Sequence, residues 1–438
     1  MSGRGRAIQR IRASAAAADV RALLAVLRAY MEDSTVAACA IKALWRVLTS
    51  HTIYLVLNGD EEILKPDLAE TALQALHVHS ADARLTHSTL HLLSATLAVT
   101  DLDALSASHS APHFSLAVVS ALRQHSEDAD VLNYGCEVLH TLQGDITLCD
   151  MFWSSDVSCA AVDVLSTRLR THLNDVACAS TVLPTLADLF SHPDGHKIGF
   201  ATAGSMELIT SALRAHHGST SCDIKVHQNG CRAIGSLCTG GDVTRADSCH
   251  AMETVLQSLR SYPDSELVQA SGLRALAEYA KSGGALDCED LGREPFQAAI
   301  FGMRQHGSCP KVLQVAFAVL CSIFAFPCTD DIAPASWVVE VLSKPEALAL
   351  LKRSLRELEN FDEAHPTRAM FVNWMTYGAC AGCGKLQEAK MKLCCARCKC
   401  VPYCSEACHV SHWPVHKLEC VRRPADRLAA ARKQLDVE

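Results

Sequence analysis

The sequence predicts an all-α protein in which stacked helical hairpins precede a small metal-binding domain. Aromatic residues make up only 5% of the 438 residues while alanine and leucine are abundant, which favours helix packing over β-sheets. A short phrase recurs along most of the chain at a nearly constant spacing. Nine of the 22 cysteines lie between residues 380 and 420, where they form a dense cluster.

The recurring phrase has four positions. The first is apolar, the second is usually an arginine, the third varies, and the fourth is a histidine or tyrosine. Its first residues stand 49, 46, 47, 44, 46 and 44 positions apart, which is too regular for chance. The seven copies begin at Leu27, Leu76, Leu122, Leu169, Leu213, Leu259 and Met303.

A small residue follows most copies thirteen positions later, as at Ala40 and Gly135. Ser180, two positions early, and Gly230, four positions late, take this place in the fourth and fifth units. Each unit therefore predicts a helix ending in the histidine or tyrosine, a polar turn, and a second helix that begins near the small residue. Pro184 predicts that the second helix of the fourth unit starts late or is broken.

Such a hairpin cannot bury its own apolar faces, so neighbouring units must stack to build a continuous core. The small residue predicts a close approach between helices. We expect the repeated histidines to satisfy carbonyls at the helix ends. A shared metal site is not predicted for them, because one histidine per unit places the rings about one repeat apart.

The period and pattern are similar to those of the armadillo/HEAT class. The resemblance covers Val20 to Phe326 and implies an armadillo/HEAT-like α-solenoid, with a concave groove lined by the last helix of each unit. The repeat does not identify the polar residues of that groove. The predicted organisation is a basic N-terminal tail at 1–19, helical repeats at 20–330, irregular capping helices and a linker at 331–379, a zinc finger at 380–420, and a basic C-terminal helix or tail at 421–438.

The spacing of the cysteine cluster is typical of a metal site. Two C-x2-C pairs are followed by two pairs with three intervening residues, and the ligands are Cys380, Cys383, Cys395, Cys398, Cys404, Cys408, His416 and Cys420. Eight thiolate and imidazole ligands make two closed tetrahedral sites, as in structural zinc (two Zn²⁺ ions), with no position left for a catalytic water. Cys394 and Cys400 are not predicted ligands. If the second C-x2-C pair began at Cys394, Arg397 would stand where the second sulfur is needed.

The ligand order, with Tyr403-Cys404-Ser405 and Trp413-Pro414-x-His416-Lys417, resembles the MYND finger family. The related HIT-type knuckle usually has a shorter last spacing and lacks the tryptophan. The MYND resemblance implies interleaved sites, with Cys380, Cys383, Cys404 and Cys408 on one zinc and Cys395, Cys398, His416 and Cys420 on the other. It also implies proline-containing peptides of partner proteins as ligands. His409 departs from the family, which commonly has glutamine there. Trp413 is either a wall of the peptide pocket or a core anchor of the finger, and we favour the core anchor.

We expect an adaptor that is not an enzyme, with protein partners on both the array and the finger. A methyltransferase with a MYND finger inserted in a SET domain would need a glycine-rich cofactor segment and an Asn-His-x-x-Cys-like core, which the sequence lacks. Nucleic acid is a weaker alternative: the net charge is −8, and since residues 380–438 carry +5, residues 1–379 carry −13.

The localisation expected from the sequence is cytoplasmic, nuclear or both. Scattered single cysteines and the lack of a signal core indicate a reducing compartment, and no apolar run is long enough to span a membrane. The first residues are basic and rich in alanine, which we interpret as a tail in preference to a mitochondrial presequence.

Overall fold

The structure is a computed structural model. It describes residues 3–49, 61–97, 111–143, 149, 152–153, 156–192, 194–195, 204–239, 245–281, 289–325, 350, 354, 393–394, 402–403 and 405–419. The helices of the array are α1 (Gly3–Ala16), α2 (Val20–Ala29), α3 (Ser34–Thr49), α4 (Glu61–Val78), α5 (Ala83–Leu97), α6 (Ala111–Gln124), α7 (Ala129–Gln143), α8 (Val157–Thr171), α9 (Val176–Ser191), α10 (Ser205–Ala215), α11 (Ser221–Thr239), α12 (Arg245–Ser261), α13 (Glu266–Lys281), α14 (Glu289–Gln305) and α15 (Pro310–Ala325).

Contacts divide the chain into two units, Met1–Asp247 and Ser248–Glu438. In the first unit the hairpins α2–α3, α4–α5, α6–α7, α8–α9 and α10–α11 follow one another in chain order, and each packs on the next. In the second unit α12 packs on α13 and α14 packs on α15, which makes two further hairpins. The predicted all-α fold is confirmed.

The phrase marks the end of the first helix in every hairpin. Each of these helices ends one residue before the last residue of its phrase. These last residues are Tyr30, His79, His125, His172, His216, Tyr262 and His306. The turn that follows is short, because in four of the hairpins an aspartate caps the second helix three residues after the histidine or tyrosine. In the first of them Asp33 Oδ1 accepts the backbone N–H groups of Thr35 and Val36 at 3.1 and 3.2 Å, and the others are Asp82, Asp128 and Asp175.

The small residues permit the close approach that the sequence predicted, although they lie inside the second helix and not near its start. A Cβ added at Gly135 would lie 2.6 Å from Cδ2 of Leu122, the first residue of the same unit's phrase. Gly230 against Leu213 shows the same approach at 2.5 Å. Since real Cβ atoms do not approach so closely, a side chain here would force the leucine, or the helix that carries it, to move.

The fourth hairpin corrects two predictions. Helix α9 runs unbroken through Pro184, because burial of its apolar face against neighbouring helices offsets the roughly 3 kcal/mol cost of an interior proline. Ser180 does not take the place of the small residue, since it is half-buried and bonds to the carbonyl of Ala177 in its own helix. The fully buried Val182 lies at the thirteenth position after Leu169 instead.

The segment predicted as a basic tail forms helix α1, which packs on α2 and α3. Ala7 and Ile11 are buried at 1% and 3% exposure, while the arginines face outward. Arg4 Nε donates to Asp33 Oδ2 at 2.7 Å, which ties the helix to the first turn of the array. The alanines and the four-residue spacing of the buried pair explain the helix.

Several predicted segments fall outside the described residues. These are the capping helices and linker expected at 331–379, apart from residues 350 and 354, and the C-terminal helix or tail expected at 421–438. Among the residues that the structure does describe, no helix is long and apolar enough to cross a membrane.

Candidate interaction surface and zinc finger

The repeated histidines connect neighbouring hairpins. His79 Nε2 donates to the carbonyl of Met31 at 2.7 Å, and His125 Nε2 donates to that of Ser80 at 2.6 Å. His216 and His306 reach the carbonyls of Leu173 and Pro263 in the same way, at 3.0 and 2.8 Å. In each case the acceptor is the residue after the phrase of the preceding hairpin. Four of the five histidines thus bond to a carbonyl in the turn of the preceding hairpin, and not to a carbonyl at the end of their own helix as expected.

The fourth unit uses its histidine differently. Arg168 is 6% exposed, and its Nη1 donates to Glu127 Oε2 at 2.6 Å, while His172 Nε2 lies 3.0 Å from the same oxygen. The hydrogen bond from Arg168, followed by that from His172, holds the pKa of the Glu127 carboxyl below its usual range. An ion pair therefore replaces the carbonyl contact at this position.

The second helices of the first unit form the more closely packed layer. Helices α3, α5, α7, α9 and α11 pack more extensively on one another than the first helices of the same hairpins do. Their outward positions carry side chains that contact one another from helix to helix. This layer corresponds to the last helix of each unit, where the sequence predicted a groove without naming its residues.

An aromatic row crosses the first three of these helices and consists of Trp45, His87, His91 and Tyr134. Trp45 Nε1 donates to His91 Nε2 at 2.9 Å. The His91 and Tyr134 rings stack with centroids 3.9 Å apart, and His87 stacks on Tyr134 at 5.3 Å. All four side chains are half-buried, so they present one continuous, partly solvated π surface.

The hydrogen bond from Trp45 fixes the state of His91. Because His91 Nε2 accepts, the ring is neutral with its proton on Nδ1. Burial, followed by the nearby charge of His87, lowers the pKa of His91, while burial raises that of Tyr134. His91 and Tyr134 are therefore both uncharged at neutral pH.

A polar row continues across α7, α9 and α11 and consists of Glu137, His140, Asp188, Arg232, Ser191 and Ser236. Asp188 accepts from both His140 and Arg232. The hydrogen bond with Asp188 raises the pKa of His140. Ser94 Oγ donates to Glu137 Oε2 at 2.7 Å, which joins the polar row to α5 beside the aromatic row.

These two rows were not identified from the sequence, but a signal exists there. His91 and Glu137 both stand fifteen positions after the first residue of their phrases, and Trp45 and His140 stand eighteen positions after theirs. Aligning the units on the phrase would have placed these side chains in register. Which of them touch still depends on the packing of successive helices.

The finger contains a short sheet and a helix. Strands β1 (Leu393–Cys394) and β2 (Pro402–Tyr403) pair antiparallel, with Leu393 opposite Tyr403, and helix α16 (Glu406–Glu419) packs on β2. Ser405 begins the helix, since its Oγ accepts the backbone N–H of Cys408 at 3.3 Å. The Tyr403-Cys404-Ser405 signature therefore marks the strand-to-helix corner.

Two of the eight predicted ligands fall within the described residues. Cys408 lies half-buried in the first turn of α16, and His416 belongs to the same helix. Cys380, Cys383, Cys395, Cys398, Cys404 and Cys420 lie outside the described residues. Cysteine and histidine are residue types that zinc prefers as ligands, and the interleaved assignment gives these two to different ions.

Trp413 is half-buried on α16, and its ring contacts that of His409 edge to face, with centroids 5.9 Å apart. Val410 on the same helix is 65% exposed. The helix therefore carries one large apolar side chain held against its neighbour and another turned to solvent.

Comparison with known proteins supports this description of the finger. The family model described as MYND finger matches residues 380–420. No curated protein matches the chain. The crystal structure of an engineered protein from the Northeast Structural Genomics Consortium is similar to 65% of this chain and 98% of its own, at 20% identity and a TM-score of 0.40. Residues 380–420 are a MYND finger, a zinc-binding module of protein–protein interaction, which this chain carries after an array of helical hairpins.

Proposed function

We propose that the chain is a non-enzymatic adaptor whose helical array, armadillo-like in period, binds one protein partner while its MYND finger binds another. The match of residues 380–420 to the MYND family carries this proposal, because that module mediates protein–protein contacts. The aromatic and polar rows support the array's part in it. They place half-buried aromatic and charged side chains along one layer, a composition typical of interaction surfaces.

The finger would hold two structural zinc ions. Cys380, Cys383, Cys404 and Cys408 would ligate one, and Cys395, Cys398, His416 and Cys420 the other. The support is the ligand spacing, together with the position of Cys408 in the first turn of a helix that also contains His416. The ions would fix the fold of the finger and supply no chemistry, since four protein ligands close each site.

The ligand proposed for the finger is a proline-containing peptide. Such a peptide could contact exposed Val410 and half-buried Trp413, which are two apolar groups on α16. We expect a library of immobilised proline-containing peptides to yield binders of the purified chain. Those binders should be lost in Cys404→Ala and retained in the control Cys394→Ala, because Cys394 is not a predicted ligand. Loss in neither variant would mean that the finger is not the binding module.

The array's part is tested at the aromatic row. Peptides that bind the chain independently of Cys404 should lose affinity in Tyr134→Ala, because that substitution removes the stack on His91. The matched control is Asn133→Ala, an exposed neighbour on the same helix. Equal binding by both variants would move the site away from this row.

The proposal is distinguishable from the two alternatives. A SET-type methyltransferase would transfer tritium-labelled methyl groups from S-adenosylmethionine to histone substrates, and we expect no transfer. A nucleic-acid regulator would shift labelled duplex or single-stranded DNA with an affinity that falls steeply with salt, and we expect no shift at physiological salt. The proposed compartments are the cytoplasm and the nucleus, where both partners would meet a reduced zinc finger.

A further inference from the structure

A cavity of about 620 Å³ opens between α12 and α14 in the second unit. Its walls are apolar: Leu256 and Leu259 come from α12, and Phe296 and Ile300 come from α14, all of them buried. Phe301 lines the cavity while leaving 47% of its side chain exposed. Volume and lining both fall in the range of small-molecule sites.

A buried amide holds one wall in place. Gln269 of α13 is 1% exposed, and its Nε2 donates to the carbonyls of Leu259 at 2.8 Å and Tyr262 at 3.1 Å. Its Oε1 lies beside α14, 3.8 Å from where a Cβ on Gly302 would stand. Because both protons of the amide are engaged at the end of α12, this wall is formed before any ligand arrives.

The rim of the cavity has an excess of positive charge. Arg260 Nη2 and Glu294 Oε2 form an ion pair 3.1 Å apart across it. Arg304 lines the same cavity, and it forms no ion pair with any side chain that the structure describes. An apolar interior beside one uncompensated guanidinium complements a ligand with an apolar body and a single carboxylate.

We propose that this cavity binds a small amphipathic carboxylate with an apolar chain. The chain leaves water for the leucine and phenylalanine walls, and the carboxylate accepts hydrogen bonds from Arg304. The site is independent of the adaptor role, because it lies on the first helices of the second unit and requires neither the finger nor a protein partner.

Isothermal titration of the purified full-length chain tests the site with octanoate and 1-octanol, which share the apolar chain and differ in charge. We expect octanoate to bind about fivefold more tightly than octanol. Ala298, which lines the cavity and is half-buried, allows the space to be filled: Ala298→Phe should weaken both ligands at least tenfold.

Arg304→Gln should bring octanoate down to the affinity of octanol and leave octanol unchanged. The control is Arg170→Gln, which alters an exposed arginine at the same position of the phrase in the fourth unit. Equal binding of the two ligands by the natural protein, or octanoate binding that survives Arg304→Gln, would overturn the proposal. Arg304 is on the surface, so this comparison holds even if a phenylalanine at 298 disturbs packing.

Discussion

The cysteines of the array and those of the finger show how one residue type serves two kinds of stability. Cys136 on α7 is 3% exposed, and burial raises its pKa to about 12, so it remains a neutral thiol packed as a small apolar side chain. Cys408 on α16 is half-buried in a segment whose described residues form only a short sheet and one helix. The array is held by burial, whereas the finger depends on a metal that its thiolates can bind.

Metal removal should separate the two regions most strongly. With excess EDTA we expect the finger to unfold and the array to keep its helices, because a structural zinc site contributes on the order of 10 kcal/mol to folding. Circular dichroism at 222 nm should change little, while hydrogen exchange should increase across residues 393–419. Uniform loss of protection along the chain would contradict the separation.

Within the array, the close approach of helices should be the most sensitive feature. Gly135→Val places a side chain where an added Cβ would lie 2.6 Å from Leu122, so we expect a loss of about 1–3 kcal/mol measured by urea unfolding. Gly3→Val is the control, because nothing lies within 4 Å of a Cβ added there. Equal stability of the two variants would show that the hairpin does not require the small residue.

A smaller effect is expected at the histidines that connect hairpins. His125→Ala removes the hydrogen bond to the carbonyl of Ser80 and should cost about 1 kcal/mol, which is about 2–4 °C in melting temperature. His77→Ala, an exposed histidine on α4, should melt as the natural protein does. If both substitutions cost the same, the bond between hairpins contributes nothing.

The smallest effect is a pH dependence in the polar row. Asp188 raises the pKa of His140, so this pair stabilises the fold fully below the ordinary value near 6.5 and ceases to do so as pH rises through the higher folded pKa. The difference in unfolding free energy between the natural protein and His140→Gln should therefore shrink from about pH 5.5 to about pH 8.5. Because His140 is 62% exposed, we expect a change of about 0.5 kcal/mol. A difference that grows with pH would reverse the assignment.

The sequence predicted where the first helix of each hairpin ends, because the phrase is a local signal that depends on nearby residues alone. It mispredicted α9 because tertiary burial outweighed the local cost of Pro184. It also treated residues 1–19 as a tail because their positive charge is more conspicuous than the buried spacing of Ala7 and Ile11.

The candidate sites also differ in whether local sequence or tertiary packing determines them. The finger was predictable because its ligand spacing is fixed by the geometry of the metal, and the family match confirms it. The stacking of His91 on Tyr134 was not predictable, because it depends on the relative orientation of α5 and α7 and on the distance between them. The eight ligand assignments and the number of ions stay predictions.

Native mass spectrometry of the purified full-length chain tests the metal-dependent finger most directly, with Cys404→Ala and Cys394→Ala measured beside it. We expect two zinc ions on the natural protein and on Cys394→Ala, fewer on Cys404→Ala, and unchanged helical content in all three. Zero or one ion on the natural protein, or two ions retained by Cys404→Ala, would contradict the eight-ligand assignment.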